Sequence, residues 1–97
     1  MIRVRYDTDG GMRLKLKGHA LYNAGGDDIV CAAASALVGT LSNFLEKKFP
    51  GEYEACISSG YAEISTFNWS AKRYFDIIFS GLDDLAGEYP ENVKIVR

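Results

Sequence analysis

The sequence contains few of the residues on which disulfide-rich and metal-binding small proteins depend. Its 97 residues include two cysteines, two prolines and one histidine. Two cysteines, Cys31 and Cys56, cannot build a disulfide framework, and they fit a reducing compartment. A single histidine with two scattered cysteines also supplies too few well-spaced ligands for a zinc site. We therefore expect neither a metal nor a cofactor.

Long uncharged runs are also scarce. Charged residues interrupt the N-terminal segment Met-Ile-Arg-Val-Arg-Tyr-Asp, so it does not have the pattern of a signal peptide. By inspection, no stretch is both long and apolar enough to cross a bilayer. These features predict a cytoplasmic protein that does not bind a membrane.

Strong net charge is absent too. The formal net charge of −2 does not by itself indicate nucleic-acid binding, and no direct nucleic-acid partner is expected. The charges are nevertheless unevenly distributed. Several basic residues crowd the N-terminal segment: Arg3, Arg5, Arg13, Lys15 and Lys17. They form either a solvated face or a basic sheet face that meets RNA or an acidic partner.

The periodicity of apolar residues indicates the fold class. A chain of this length is expected to form one domain over residues 1–97. Four segments alternate apolar with polar residues, as half-buried strands do: residues 2–7, 12–17, 52–57 and 62–66. Helical spacing appears in residues 28–48 and 70–88, and residues 93–96 read as a last strand. The order ββαββαβ predicts an α+β fold of two layers, with two helices packed on a mostly antiparallel sheet.

Cys31 and His19 flank the loop between the second strand and the first helix. In the first helical turn, partial positive charge and unpaired N–H groups stabilise a thiolate, and they also suit the oxyanion of an attacked carbonyl. The imidazole of His19 ends the second strand, where it can face the cysteine and take its proton. The pair therefore predicts a thiol protease site, although a lone cysteine in an alanine-rich helix also suits a small core residue.

Four residues near this pair have two interpretations each. Asp28 fits the N-cap of the helix and also the carboxylate that orients the imidazole, and the two roles are compatible. Ser35 lies one helical turn after the cysteine and either closes against the sheet or lines the active-site pocket. Gly25 and Gly26 either let the loop turn or let it open for a peptide.

Two segments together carry a resemblance to a known family. Residues 18–20 read Gly-His-Ala, and residues 26–37 read Gly-Asp-Asp-Ile-Val-Cys-Ala-Ala-Ala-Ser-Ala-Leu. This combination resembles the signature of the ribosomal-processing cysteine proteases, the Prp family. The interval of twelve residues from His19 to Cys31 agrees with that family. The rest of the chain agrees in length and element order, but not in diagnostic residues.

The resemblance implies a specific activity. In the family, the histidine and cysteine of this signature are the catalytic pair, which maps onto His19 and Cys31. Family members are small α+β domains that form homodimers. They remove a short N-terminal extension from a protein of the large ribosomal subunit, cutting after aromatic residues to expose the mature N-terminus. We therefore expect a homodimeric processing protease whose substrate is such an extension.

An alternative function comes from a different class. The basic strand residues could serve a non-catalytic RNA- or ribosome-binding α+β module, as in sheet-based RNA binders. Against this alternative, that face lacks exposed aromatic residues on which bases could stack.

Overall fold

Five strands and two long helices make up the fold. The computed structural model describes residues 1–23 and 26–97. In chain order the elements are β1 (Ile2–Asp7), β2 (Met12–Lys17), α1 (Ile29–Lys48), β3 (Glu54–Ser58), β4 (Tyr61–Thr66), α2 (Lys72–Glu88) and β5 (Val93–Ile95). A short 3-10 helix, Trp69–Ala71, leads into α2.

The strands form one sheet in the order β3-β4-β2-β1-β5. Only the pairing of β1 with β5 is parallel, and the other three pairings are antiparallel. In the β2–β4 register, Lys17 lies opposite Tyr61. The residues that follow β2 are therefore placed beside the turn between β3 and β4.

The core lies between one face of this sheet and the two helices. Alternate residues of the central strands point into it, including Val4, Leu14 and Ile64, each no more than 1% exposed. Phe75 and Leu82 of α2 are fully buried against them. The predicted α+β architecture, with the order ββαββαβ, is confirmed.

The sheet departs from the predicted pattern at its β3 edge. Every residue of β3 is exposed, including Ile57 at 54%. The alternation in residues 52–57 correctly indicated a strand, but the burial of one face that often accompanies such alternation is absent from β3. As the outermost strand, β3 has a neighbour on one side only, and neither helix covers it.

Helix α1 begins and ends close to its predicted bounds. Its buried stripe recurs every three or four residues: Val30, Ala34, Val38, Leu41 and Leu45. Asp28 caps its N-terminus, and Lys47 and Lys48 lie in its last turn, where they complement the helix dipole.

By length and composition alone, α1 could cross a membrane. Its mean hydropathy reaches 1.5 over 18 residues, so the expectation that no stretch meets this criterion is wrong. The buried stripe of α1 nevertheless belongs to the core, and core helices of this kind meet the same criterion. The high hydropathy of α1 comes mainly from its isoleucine, valine and leucine residues, most of which belong to the buried stripe.

Candidate active site

Cys31 and His19 line the same cleft, which has a volume of about 320 Å³. One wall is α1, which carries Cys31 in its first turn. The opposite wall is the β3–β4 hairpin, and His19 enters from the end of β2. The floor is apolar and comes from the sheet and from α1: Ile2, Leu16, Ala34, Val38 and Ala62. The cleft therefore combines an exposed imidazole and a thiol with a largely apolar interior.

The sulfur of Cys31 is half-buried and already has a backbone donor. The N–H of Ala20 donates to Sγ at 3.3 Å. This donor comes from the loop rather than from the helix, and the sequence patterns did not indicate it. A sulfur that accepts an N–H bond is better stabilised as a thiolate than as a thiol.

The imidazole of His19 lies against the β3–β4 turn. A Cβ built on Gly60 would stand 2.7 Å from Nε2 and 3.1 Å from Cε1 of His19. The Gly60 carbonyl also accepts a hydrogen bond from the N–H of Gly18 at 2.9 Å. No hydrogen bond joins His19 and Cys31 in the described part of the chain; both side chains line the cleft, and the ring lies against the turn.

Both carboxylate oxygens of Asp28 are occupied by backbone donors. Oδ1 accepts from the N–H groups of Val30 and Cys31, each at 3.0 Å, and Oδ2 accepts from Tyr22 at 3.1 Å. Of the two interpretations of Asp28, the structure places it as the cap, and it makes no hydrogen bond to His19.

This capping changes the expected use of the helix terminus. The N–H groups of Val30 and Cys31 donate to the carboxylate of Asp28, and that of Ala32 donates to the Asp28 carbonyl at 3.0 Å. These three donors are not free to bind an oxyanion, contrary to the sequence-based expectation. The dipole of α1 still favours negative charge on the sulfur.

The same hydrogen bonds, first that from the Cys31 N–H, hold the pKa of Asp28 below its ordinary value of 3.8. The ionised cap therefore stabilises the folded state above about pH 4, and its contribution is lost as the pH falls through the lowered pKa.

We expect Asp28→Asn to lower the thermal midpoint at neutral pH, and the difference from wild type to shrink towards about pH 3. Thermal unfolding followed by circular dichroism across this range measures both effects. Asp27→Asn is the matched control because it removes the same charge from the exposed neighbouring position. A constant difference across the pH range would show that the charge of Asp28 does not stabilise the helix.

The other predicted site residues have different placements. Ser35 is exposed and lines the cleft one turn after Cys31, in agreement with its pocket-lining interpretation. Gly26 is exposed, and its N–H donates to the Asn23 carbonyl at 3.4 Å. Gly25 lies outside the described residues. In residues 1–23 and 26–97, no three His, Cys, Asp or Glu side chains are grouped so that they could hold a metal ion.

A family comparison decides the class of this chain. The model of the family described as cysteine protease Prp matches residues 1–94. The chain belongs to this family. It is therefore a cysteine protease, as the signature around His19 and Cys31 predicted. No match was found among curated protein sequences.

Solved structures agree with the Prp assignment. An essential ribosomal processing protease Prp from S. aureus, crystallised with a covalently linked product peptide, aligns with a TM-score of 0.80 and 26% identity, over 98% of this chain and 97% of that one. The S. aureus protease with a substrate peptide gives 0.77 and 25%, over 99% and 98%. SMU.848 from Streptococcus mutans gives 0.74 and 26%, over 98% and 91%.

Proposed function

We propose that this Prp-family protease removes the N-terminal extension of a large-subunit ribosomal protein, with Cys31 as nucleophile and His19 as base. The observation that carries the proposal is that a thiol with a backbone N–H donor and the chain's one imidazole line the same peptide-sized cleft. The S. aureus relatives, a ribosomal processing protease with product and substrate peptides, support the substrate class.

The proposed chemistry proceeds by acyl transfer. His19 takes the proton of the Cys31 thiol, and the thiolate attacks the carbonyl carbon of the scissile bond. The imidazolium then gives this proton to the leaving amine as the C–N bond breaks. Water, deprotonated by His19, hydrolyses the thioester and regenerates the thiol. Because the imidazole rests on the β3–β4 turn in the free chain, substrate binding has to bring it to the sulfur, which is common in apo sites.

The interior of the cleft fits an apolar side chain next to the scissile bond. Gly39 of α1 lines the cleft, and a Cβ built there would have no atom within 4 Å. We propose that this space receives the aromatic side chain after which the cut occurs. Small residues on α1, including Ala34, keep it open.

Cleavage of a peptide that spans the extension and the mature N-terminus of the host's own ribosomal protein tests the function. We expect a single cut directly after the aromatic residues, identified by mass spectrometry. Replacing those aromatic residues with alanine should abolish the cut. A peptide left intact by the wild-type protein, or cut equally well without its aromatic residues, would contradict the proposal.

Gly39→Leu tests where the aromatic side chain binds. Filling the space is expected to lower kcat/KM for the aromatic peptide about tenfold or more, mainly through KM. Gly87→Leu is the matched control, because Gly87 lies on α2 with no atom within 4 Å of its built Cβ and does not line the cleft. Each change replaces a helical glycine with a better helix former, which stabilises a helix interior by up to about 1 kcal/mol, so neither variant should unfold. Equal kcat/KM in the two variants would place the subsite elsewhere.

We further propose that the protein is a homodimer that uses the outer face of α1. This face is exposed even though α1 as a whole is strongly apolar. Its exposed residues include Ala32, Ala36 and Thr40, all of which are small. Small residues allow a second copy to approach closely. Multi-angle light scattering at micromolar concentration should give the dimer mass, and Ala36→Glu should reduce it to the monomer mass. A wild-type monomer would contradict this assembly.

We propose a cytoplasmic location, with no membrane partner and no direct nucleic-acid partner. The helix-free face of the sheet supports the absence of a nucleic-acid partner, because three of its basic residues have intramolecular partners. Arg13 pairs with Glu63 at 3.4 Å, Arg5 with Asp7 at 3.4 Å, and Lys15 lies over the Tyr61 ring. The absence of a shift on RNA addition in a fluorescence titration would be the expected result.

A further inference from the structure

Ala20 contacts the proposed nucleophile, Cys31, through its backbone N–H group. Its N–H donates to Cys31 Sγ at 3.3 Å, and its side chain is almost completely buried. The position of this peptide group therefore sets the electrostatics at the sulfur. Any group that fixes the position of Ala20 therefore contributes to the activation of Cys31.

A single side chain from the far end of the sequence holds the Ala20 carbonyl. The Nδ2 of Asn92 donates to this carbonyl at 2.9 Å, across 72 positions of sequence. Asn92 is itself fixed at both backbone groups. Its N–H donates to the Tyr89 carbonyl at 2.9 Å, and its carbonyl accepts from the Ile2 N–H at 2.8 Å. The amide thus links the end of α2 and the start of β1 to the loop.

The backbone next to Ala20 is strained and needs such a support. Leu21 has a φ of +57°, the only positive value at a non-glycine residue in the described part of the chain. This conformation is unfavourable for a leucine, and the side chain is 66% exposed, so its packing does little to hold it. Hydrogen bonds hold both neighbours instead: Asn92 binds the Ala20 carbonyl, and Asp28 accepts from the Tyr22 N–H.

We propose that Asn92 is a positioning residue for the Cys31 nucleophile. Its side-chain amide holds the Ala20 carbonyl, keeps the strained turn at Leu21 in place and so keeps the Ala20 N–H on the sulfur. Without this donor the turn can relax and the N–H leaves Sγ, which disfavours the thiolate. The inference rests on the proposed role of Cys31.

The rate of alkylation by iodoacetamide reports how readily Cys31 forms a thiolate, because only the thiolate reacts. Wild type, Asn92→Asp and Asn92→Ala are compared between about pH 6 and about pH 9.5, all in a Cys56→Ala background so that one thiol is followed. The carboxylate of Asn92→Asp cannot donate and repels the Ala20 carbonyl. We expect alkylation near pH 6.5 to slow about tenfold in both variants, in line with the loss of one hydrogen bond to a charged group. At the alkaline end the rates should converge.

None of these variants replaces a titratable group around the sulfur. These groups are His19 and Asp28 of the loop, Tyr61 of β4 and the Met1 amino group, which donates to the His19 carbonyl. Asn68→Asp is the matched control. It adds the same charge at a side chain that also donates a hydrogen bond, to Glu52 at 3.2 Å, away from the cleft residues. Its alkylation profile should follow wild type.

An unchanged alkylation profile in a folded Asn92 variant would overturn the proposal. Asn92→Ala carries the test if the charged variant does not fold, because it is smaller and adds no charge. A rate lowered equally at all pH values would also overturn it, since that pattern reports access rather than thiolate stability. A different result would refute the proposed function alone: the wild-type protein would leave the ribosomal peptide intact, while its alkylation profile would still depend on Asn92.

Discussion

Cys31→Ala is expected to reduce cleavage of the ribosomal peptide at least about 10³-fold, because no other group at the cleft supplies a thiolate. The change removes one half-buried sulfur, so the free energy of unfolding should change by no more than about 1 kcal/mol. His19→Ala should have a comparable effect on cleavage. Since the two side chains act as a unit, the double variant should be scarcely worse than either single one.

Cys56→Ala is the control that separates this role from general thiol chemistry. Cys56 is exposed on the helix-free face of β3, opposite Glu63 in the register, and it does not line the cleft. Its loss should leave kcat and KM unchanged. Measurable turnover by Cys31→Ala, with the variant shown to be folded by circular dichroism, would refute Cys31 as the nucleophile.

Gly60→Ala is expected to lower kcat about 10- to 100-fold without any change in the catalytic pair itself. The added methyl group would stand 2.7 Å from Nε2 of His19, so it displaces the imidazole from the position from which substrate binding brings it to the sulfur. Displacing a catalytic group by about 1 Å can cost this much in rate. Peptide cleavage with kcat and KM resolved separately measures the effect.

Gly10→Ala is a close match for the backbone part of this substitution. Gly10 lies in the β1–β2 turn with a φ of +75°, against +73° at Gly60, and its built Cβ has no atom within 4 Å. Each variant pays a similar cost of about 1 kcal/mol for a side chain in the left-handed region. Equal activity in Gly60→Ala and Gly10→Ala would mean that the β3–β4 turn does not position the imidazole.

Most of the fold, and the roles proposed for the cleft residues, could be predicted from local sequence patterns. A period of two located β1 and β2, a helical period located α1, and the capping preference of aspartate placed Asp28 at its start. These features follow from interactions between residues close in sequence, so they can be recognised without a structure. The residues around His19 and Cys31 indicated the protease family in a different way, through their resemblance to its signature, which lies within residues 18–37.

Features that depend on residues far apart in sequence could not be predicted in this way. Ile57 is exposed because β3 is the outermost strand and neither helix covers it. The alternation of apolar residues does not show which strands the helices cover. The capping preference of Asp28 predicted that it would accept hydrogen bonds from the first N–H groups of α1. The N–H group that donates to the Cys31 sulfur, however, belongs to Ala20 in the preceding loop, and no sequence pattern predicted this bond. A backbone N–H is present at almost every residue and leaves no trace in the sequence.

The sequence by itself determined that this chain forms an α+β domain with a cysteine and a histidine on either side of one loop. Periodicity, capping and the signature are local, and local interactions are written in consecutive residues. Only the tertiary structure decided that Gly60 supports the imidazole and that Asn92 holds Ala20. Both contacts arise because β4 pairs with β2 and β5 pairs with β1, which brings distant turns to the same end of the sheet.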